Sequence, residues 1–309
     1  MIAPDLAGAD LLGADLAGAN LCKANLKDAC LSEAGCLDAD FSGASLAGAN
    51  LARANLGGAN LAEADLREAD LSGSSLLGAR VPGANFEGAS LRECDLAGAR
   101  LSGKPPDPAE GEEAAPEDRP AVPPILKNAD MQGAILTGAD LSGVNLTGAD
   151  LGAAEIAEAL LAGADLSGAN LSGACLNQAD LRDAKLADAN LSGAQLNQCA
   201  LAGADLTRAK LVNAALFEAD LRHARLREAD LRGADLGGAC VFGADFRDAV
   251  FFDAGDAPVD PDLGTLNLEG ALFDRKTTWP VGVDPLALGA VEGEDFDLAR
   301  EVSDPDPEE

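Results

Sequence analysis

Three residue sets in this 309-residue chain could carry chemistry: one histidine, seven cysteines and 53 carboxylates. A histidine does general acid–base work beside a nucleophile, and His223 has no Ser or Cys spaced to complete a triad with it. It stands two residues after Leu221, at an outward position of the local pattern, and reads as a surface residue. The cysteines make no CxxC pair and have no histidine-rich companion, so neither a zinc site nor a disulfide framework is expected. Cys36, Cys94 and Cys199 fall at inward positions, where cysteine behaves as a small hydrophobe. Cys22, Cys30, Cys175 and Cys240 fall at outward ones without ligand partners. The aspartates invite a calcium reading, but calcium-binding β-rolls repeat every nine residues and this chain repeats every five. The expectation is no catalytic residue, no metal and no cofactor: not an enzyme.

What must position these residues is the five-residue period itself. It runs from Leu6 to Leu101 and again from Leu126 to Phe251, giving 20 and 26 repeats, 46 in all. The central residue is Leu in 37 of them, and the residue two before it is Ala in 40. On an α-helix a step of five advances each Leu by about 140° and sprays the set around the cylinder. On a flat strand an odd step alternates the faces. The leucines share an interior only if the chain turns within every repeat and stacks on itself as a coil. Gly, Ser, Asn and Asp beside each Leu suit those corners.

The tandem A(D/N)LXX resembles the pentapeptide-repeat family over about four fifths of the chain. The resemblance implies an all-β fold: a right-handed quadrilateral parallel β-helix, one repeat per side and about 20 residues per coil. About 11–12 coils, plus a C-terminal cap, would then make a rod of roughly 55 Å at one strand spacing per coil. Charge columns at a step of 20 agree with four sides: Lys185, Asp205, Arg225, Asp245 alternate in sign, as cross-strand pairing favours. In the column Asp188, Arg208, Glu228, Asp248 the like pair Glu228–Asp248 breaks the alternation, and Arg80 over Arg100 is a second adverse pair.

The organisation follows. Residues 1–103 form a first repeat block, 104–124 an acidic Pro-rich linker or extruded loop, and 125–251 a second block. Residues 252–283 hold repeats in a shifted register, centred on Leu263, Leu268 and Phe273, then a closing segment; 284–309 are an acidic, largely disordered tail. Two hinged rods or one continuous rod with a loop both fit. Four exposed rod ends against one cap favour the continuous rod. The segment around Thr278, Trp279, Pro280, Gly282, Asp284 and Pro285 resembles the closing segment of many family members, with Val283 where Phe is usual. It assigns Trp279 as the structural cap.

Charge bounds the partners. Twenty-two basic against 53 acidic residues leave −31, with a sequence pI near 4.1. That excludes direct binding to nucleic acid or to an anionic membrane, and permits a partner with a basic surface. The start Met1-Ile2-Ala3-Pro4-Asp5 has no basic region leading into an apolar run, and no stretch approaches the roughly 18 apolar residues of a spanning helix. A cytoplasmic protein is expected. Asp precedes the central residue in 17 of 46 repeats and spreads over all four sides, so no single anionic stripe shows at that position.

Two functions compete. The first is a non-enzymatic protein-interaction scaffold on a rigid acidic rod. Its candidate contacts are the outward aromatics Phe217, Phe242 and Phe252 and the loop acids Glu110, Glu112 and Glu113; for the aromatics, residues 280–300 folding back over them is the favoured reading and a partner or dimer contact the alternative. The second comes from the resemblance: best-understood family members imitate duplex DNA and engage type II topoisomerases, which implies DNA gyrase or topoisomerase IV as partner. A homodimer through a rod end is a further expectation. With linker and tail removed, −18 remains on the rod. Duplex DNA would carry roughly 32 charges over the same length, so the imitation is dilute.

Overall fold

The computed structural model describes residues 3–99, 101, 122–251, 268–273, 275, 277–279 and 281–293. Among the described residues the repeats make the same turn, and most spend their backbone groups the same way. In the repeat centred on Leu26, the Asn25 N–H donates to Pro4 O in the coil before (2.9 Å). The N–H groups of Leu26 and Asp28 donate to Ser45 O (2.7 Å) and Ala47 O (3.0 Å) in the coil after, and the Ala29 N–H turns back onto Leu26 O (3.1 Å). The fifth N–H, on Lys27, is taken by Asn25 Oδ1 at 3.3 Å. Asp or Asn before the central residue is thus the acceptor that completes the backbone account of a repeat.

The turn puts the residue two after the centre in the left-handed region, at φ 64° for Gly8 and 59° for Lys23, for example. That conformation explains the frequency of glycine there. Non-glycine residues at this position tend to sit over a glycine one coil on, as Asp28 does over Gly48 and His223 over Gly243.

Parallel bridges join each residue before a centre to the one 20 residues later: Asp5 to Asn25, Asp10 to Cys30, Asp15 to Gly35, Asn20 to Asp40, and so on. A coil is therefore four repeats, and its four sides face outward around one column of buried Ala and Leu, from Leu21 to Phe251 and beyond. At the break between blocks the step becomes 40: Asn85 pairs with Ile125, Ser90 with Asp130, Asp95 with Ile135. The second block is stacked directly on the first in the same phase. Arg100, and so its relation to Arg80, lies outside the described residues.

The column closes by slipping register twice. Cys240 pairs with Leu272, 32 residues on, and Asp245 with Thr278, 33 on, so one extra residue is taken up between them. Leu268 and Phe273 are buried as the shifted register predicts; Leu263 lies outside the described residues. That extra residue brings Trp279 beneath Phe246, stacked at 5.0 Å and 5°. Phe251 and Phe273 meet the same ring edge-on at 6.3 Å and 5.7 Å. Strand β1 (Leu272–Phe273) pairs in parallel with β2 (Val291–Glu292), Phe273 opposite Glu292. An exposed carboxylate thus stands where the next apolar centre would be.

Candidate partner-binding surface

The four sides can be named by their first centres: Leu6, Leu11, Leu16 and Leu21, continuing after the break at Leu126, Met131, Leu136 and Leu141. Within residues 1–103 and 125–251, the first side carries 11 acids and 8 bases, the second 7 and 4, and the fourth 6 and 5. The third side carries 7 acids and no Lys or Arg. Its net −7 is half of the −14 on the two blocks, the other sides giving −3, −3 and −1.

On the other sides arginine neutralises aspartate by a local rule. Where Asp precedes a centre and Arg follows it, the guanidinium forks onto the carboxylate of its own repeat. Arg222 donates to Asp220 from Nε at 2.8 Å and Nη2 at 2.7 Å. Arg67–Asp65, Arg182–Asp180, Arg232–Asp230 and Arg247–Asp245 repeat it. These guanidinium hydrogen bonds hold the carboxyls of Asp65, Asp180, Asp230 and Asp245 below the usual range. Cross-coil pairs add to this, including Arg208–Asp188 at 2.6 Å and Lys185–Asp165 at 3.5 Å. Among the described residues none of Asp15, Asp38, Asp95, Glu155, Glu158 or Glu218, all on the third side, joins an ion pair.

The third side is also stiffened by side-chain ladders. Gln195 and Ala215 precede their centres where Asp or Asn is usual, so the following N–H groups find acceptors one coil back. Asn197 N–H donates to Asn177 Oδ1 and Phe217 N–H to Asn197 Oδ1, both at 3.1 Å. Beside them Gln178 donates to Gln198 at 3.0 Å, and Gln198 to Glu218 at 2.8 Å.

The sequence-derived candidates separate. Phe217 is 46% exposed at the foot of this ladder, on the third side. Phe242 sits on the fourth side and is only 8% exposed, so at this residue the covering by residues 280–300 holds and the partner contact does not. The closing chain lies on it: a Cβ at Gly293 would be 3.2 Å from its ring. Phe252, Glu110, Glu112 and Glu113 lie outside the described residues. His223 is exposed. Burial pushes the thiol of Cys36 up to about 11 and those of Cys94 and Cys199 up to about 12, away from reactivity. Among the described residues no group of three or more His, Cys, Asp and Glu could hold a metal, and no helix is long and apolar enough to cross a membrane. The cation-free side was readable from the sequence, by sorting Lys and Arg at a step of 20 instead of sorting Asp at one repeat position.

The family model for pentapeptide repeats matches residues 5–34, 39–76, 76–103, 125–152, 145–183, 184–222 and 209–248. The chain belongs to the pentapeptide-repeat family. No curated protein matches it in sequence. Among solved structures of the family, HetL, involved in heterocyst differentiation regulation in the cyanobacterium Nostoc sp., is 30% identical. That match covers 81% of this chain and 89% of HetL, with a TM-score of 0.33. QnrB1, a plasmid-mediated fluoroquinolone resistance protein, is 14% identical over 84% of this chain and 93% of its own, with a TM-score of 0.38. A pentapeptide repeat protein of the Arabidopsis thaliana thylakoid lumen is 32% identical over 32% of this chain and 66% of its own, at a TM-score of 0.24.

Proposed function

We propose that this member of the family is a non-enzymatic, cytoplasmic protein-interaction scaffold that engages its partner along the third side. We take its β-helix to be right-handed, as the family implies, with about 11–12 coils. One observation carries the reading: three sides carry arginine and lysine against most of their acids, while the third carries no Lys or Arg of its own. A basic partner therefore meets no repulsive charge on that side, and this sets both orientation and encounter rate. Backbone ladders on every coil hold the surface flat and preformed, which lowers the ordering cost of binding. Photo-crosslinkers placed at Ala97 or Thr137 on the third side should capture protein, and one at Ala162 on the fourth should not. Equal capture from both sides, or from neither, counts against the reading.

A second reading is a DNA-imitating protector of DNA gyrase or topoisomerase IV, favoured by the same linear, acid-only side. Magnitude weakens it. Seven acids lie between Asp15 and Asp235, ten coils or about 48 Å apart, where duplex DNA would carry about 28 charges. Gyrase supercoiling titrated with the protein, with and without a fluoroquinolone, tests it: inhibition or protection at low micromolar protein would put this reading first.

A further inference from the structure

The N-terminal half of the third side carries an apolar stripe that charge alone does not explain. Down one column stand Ala17, Leu37, Gly57, Leu77 and Ala97. Leu37 is 47% exposed and Leu77 56%. Leu37 folds over the bare backbone of Gly57, where a Cβ would lie 3.1 Å from its Cδ1. The stripe spans four coil steps, about 19 Å, with the two leucines about 10 Å apart. Asp15, Asp38 and Asp95 flank it.

We propose that this stripe is a docking site for a cationic amphipathic helix of another protein, an assignment that rests on the scaffold reading and gives it a partner chemistry. The chain's own acidic segments are the wrong occupants: residues 104–124 carry −4 and residues 284–309 carry −9, and both are repelled. A second copy is wrong as well, since no side of the rod has a positive balance to offer. What fits is an apolar ridge bordered by Lys and Arg. On a helix, residues seven apart are about 10.5 Å apart along the axis, close to the separation of the two leucine-bearing coils. About 13 helical residues cover the stripe. Apolar anchors then rest on Leu37 and Leu77 while the basic border meets Asp15, Asp38 and Asp95.

The test uses the full chain and a fluorescein-labelled 18-residue peptide of Leu and Lys, with Leu at positions i, i+3, i+4 and i+7, beside a scrambled peptide of the same composition. The patterned peptide should bind about tenfold more tightly than the scrambled one. Leu37→Ser with Leu77→Ser should abolish that difference, whereas Leu160→Ser, an exposed leucine on the fourth side, should preserve it. All three positions are exposed, so circular dichroism should be unchanged. Equal affinity for the two peptides, or equal losses in the two variants, overturns the assignment. Either result leaves the scaffold reading to its separate crosslinking test.

Discussion

Replacing Leu161 with alanine removes three buried carbons from a place that cannot close around the gap. Leu161 is 1% exposed, and its backbone is pinned on both sides: its N–H donates to Asp180 O at 2.7 Å and its carbonyl accepts from Ala164 at 3.0 Å. The buried atoms alone are worth about 2.4 kcal/mol at 0.8 kcal/mol per methylene. A retained cavity raises the loss toward the upper half of the range for such substitutions, about 4 kcal/mol. Its neighbour Leu160 is 45% exposed, so Leu160→Ala should cost under about 1 kcal/mol. Urea unfolding followed by circular dichroism reads the difference. With a slope near 3 kcal/mol per molar, the Leu161→Ala midpoint should fall by about 1 M or more and that of Leu160→Ala by about 0.3 M or less. Similar shifts in the two variants would refute the outward–inward alternation on which the coil rests.

Gly168 is at φ 66° with open space around it, so Gly168→Ala should cost about 1 kcal/mol from backbone strain alone. Gly58→Ala should cost about the same, because the new Cβ meets only the exposed Asp38 carboxylate, which can swing aside; in thermal melts, adding Asp38→Ala should recover little. Asn197→Ala strips the exposed Phe217 N–H of its acceptor, and faster hydrogen exchange at that amide, with a loss of about 1 kcal/mol or less, is expected. The Arg247–Asp245 pair depresses the folded carboxyl below its unfolded value. Its stabilisation is therefore full above about pH 4 and fades as pH falls toward the folded pKa. The stability gap between the wild type and Arg247→Ala should accordingly be smaller at pH 2 than at pH 7, and an unchanged gap would contradict the pairing.

The period of five made the core legible residue by residue, because only a coil lets Leu and Ala recur inward at that step. Columns at a step of 20 were legible too, though Lys185 prefers Asp165 to the equally spaced Asp205, a choice of rotamer that no period encodes. The in-repeat forks, Asp220 to Arg222 and their like, are visible as the string Asp-Leu-Arg once the turn is known to bring its ends together. That residues 280–300 return over the outward aromatics was legible, but which aromatic they cover was not: Phe242 lies beneath Gly293 while Phe217 stays 46% exposed, and a repeat position says nothing of that path. The single residue that seats Trp279 beneath Phe246 is equally silent in the sequence: an insertion of one breaks the frame without naming the partner it creates.

The 20-residue coil imposes an arithmetic on how such a chain can change length. Losing or gaining one repeat keeps every leucine inward, yet rotates all later residues by a quarter turn, so the acid-only side would continue around a corner. Losing or gaining four repeats removes or adds one layer and leaves every side in line. The step of 40 between Asn85 and Ile125 obeys this rule, being two coil lengths. Selection on the inside of the rod is thus satisfied by any multiple of five, and selection on the third side only by multiples of twenty. Length variants among relatives would therefore record whether the interior or that surface was being preserved.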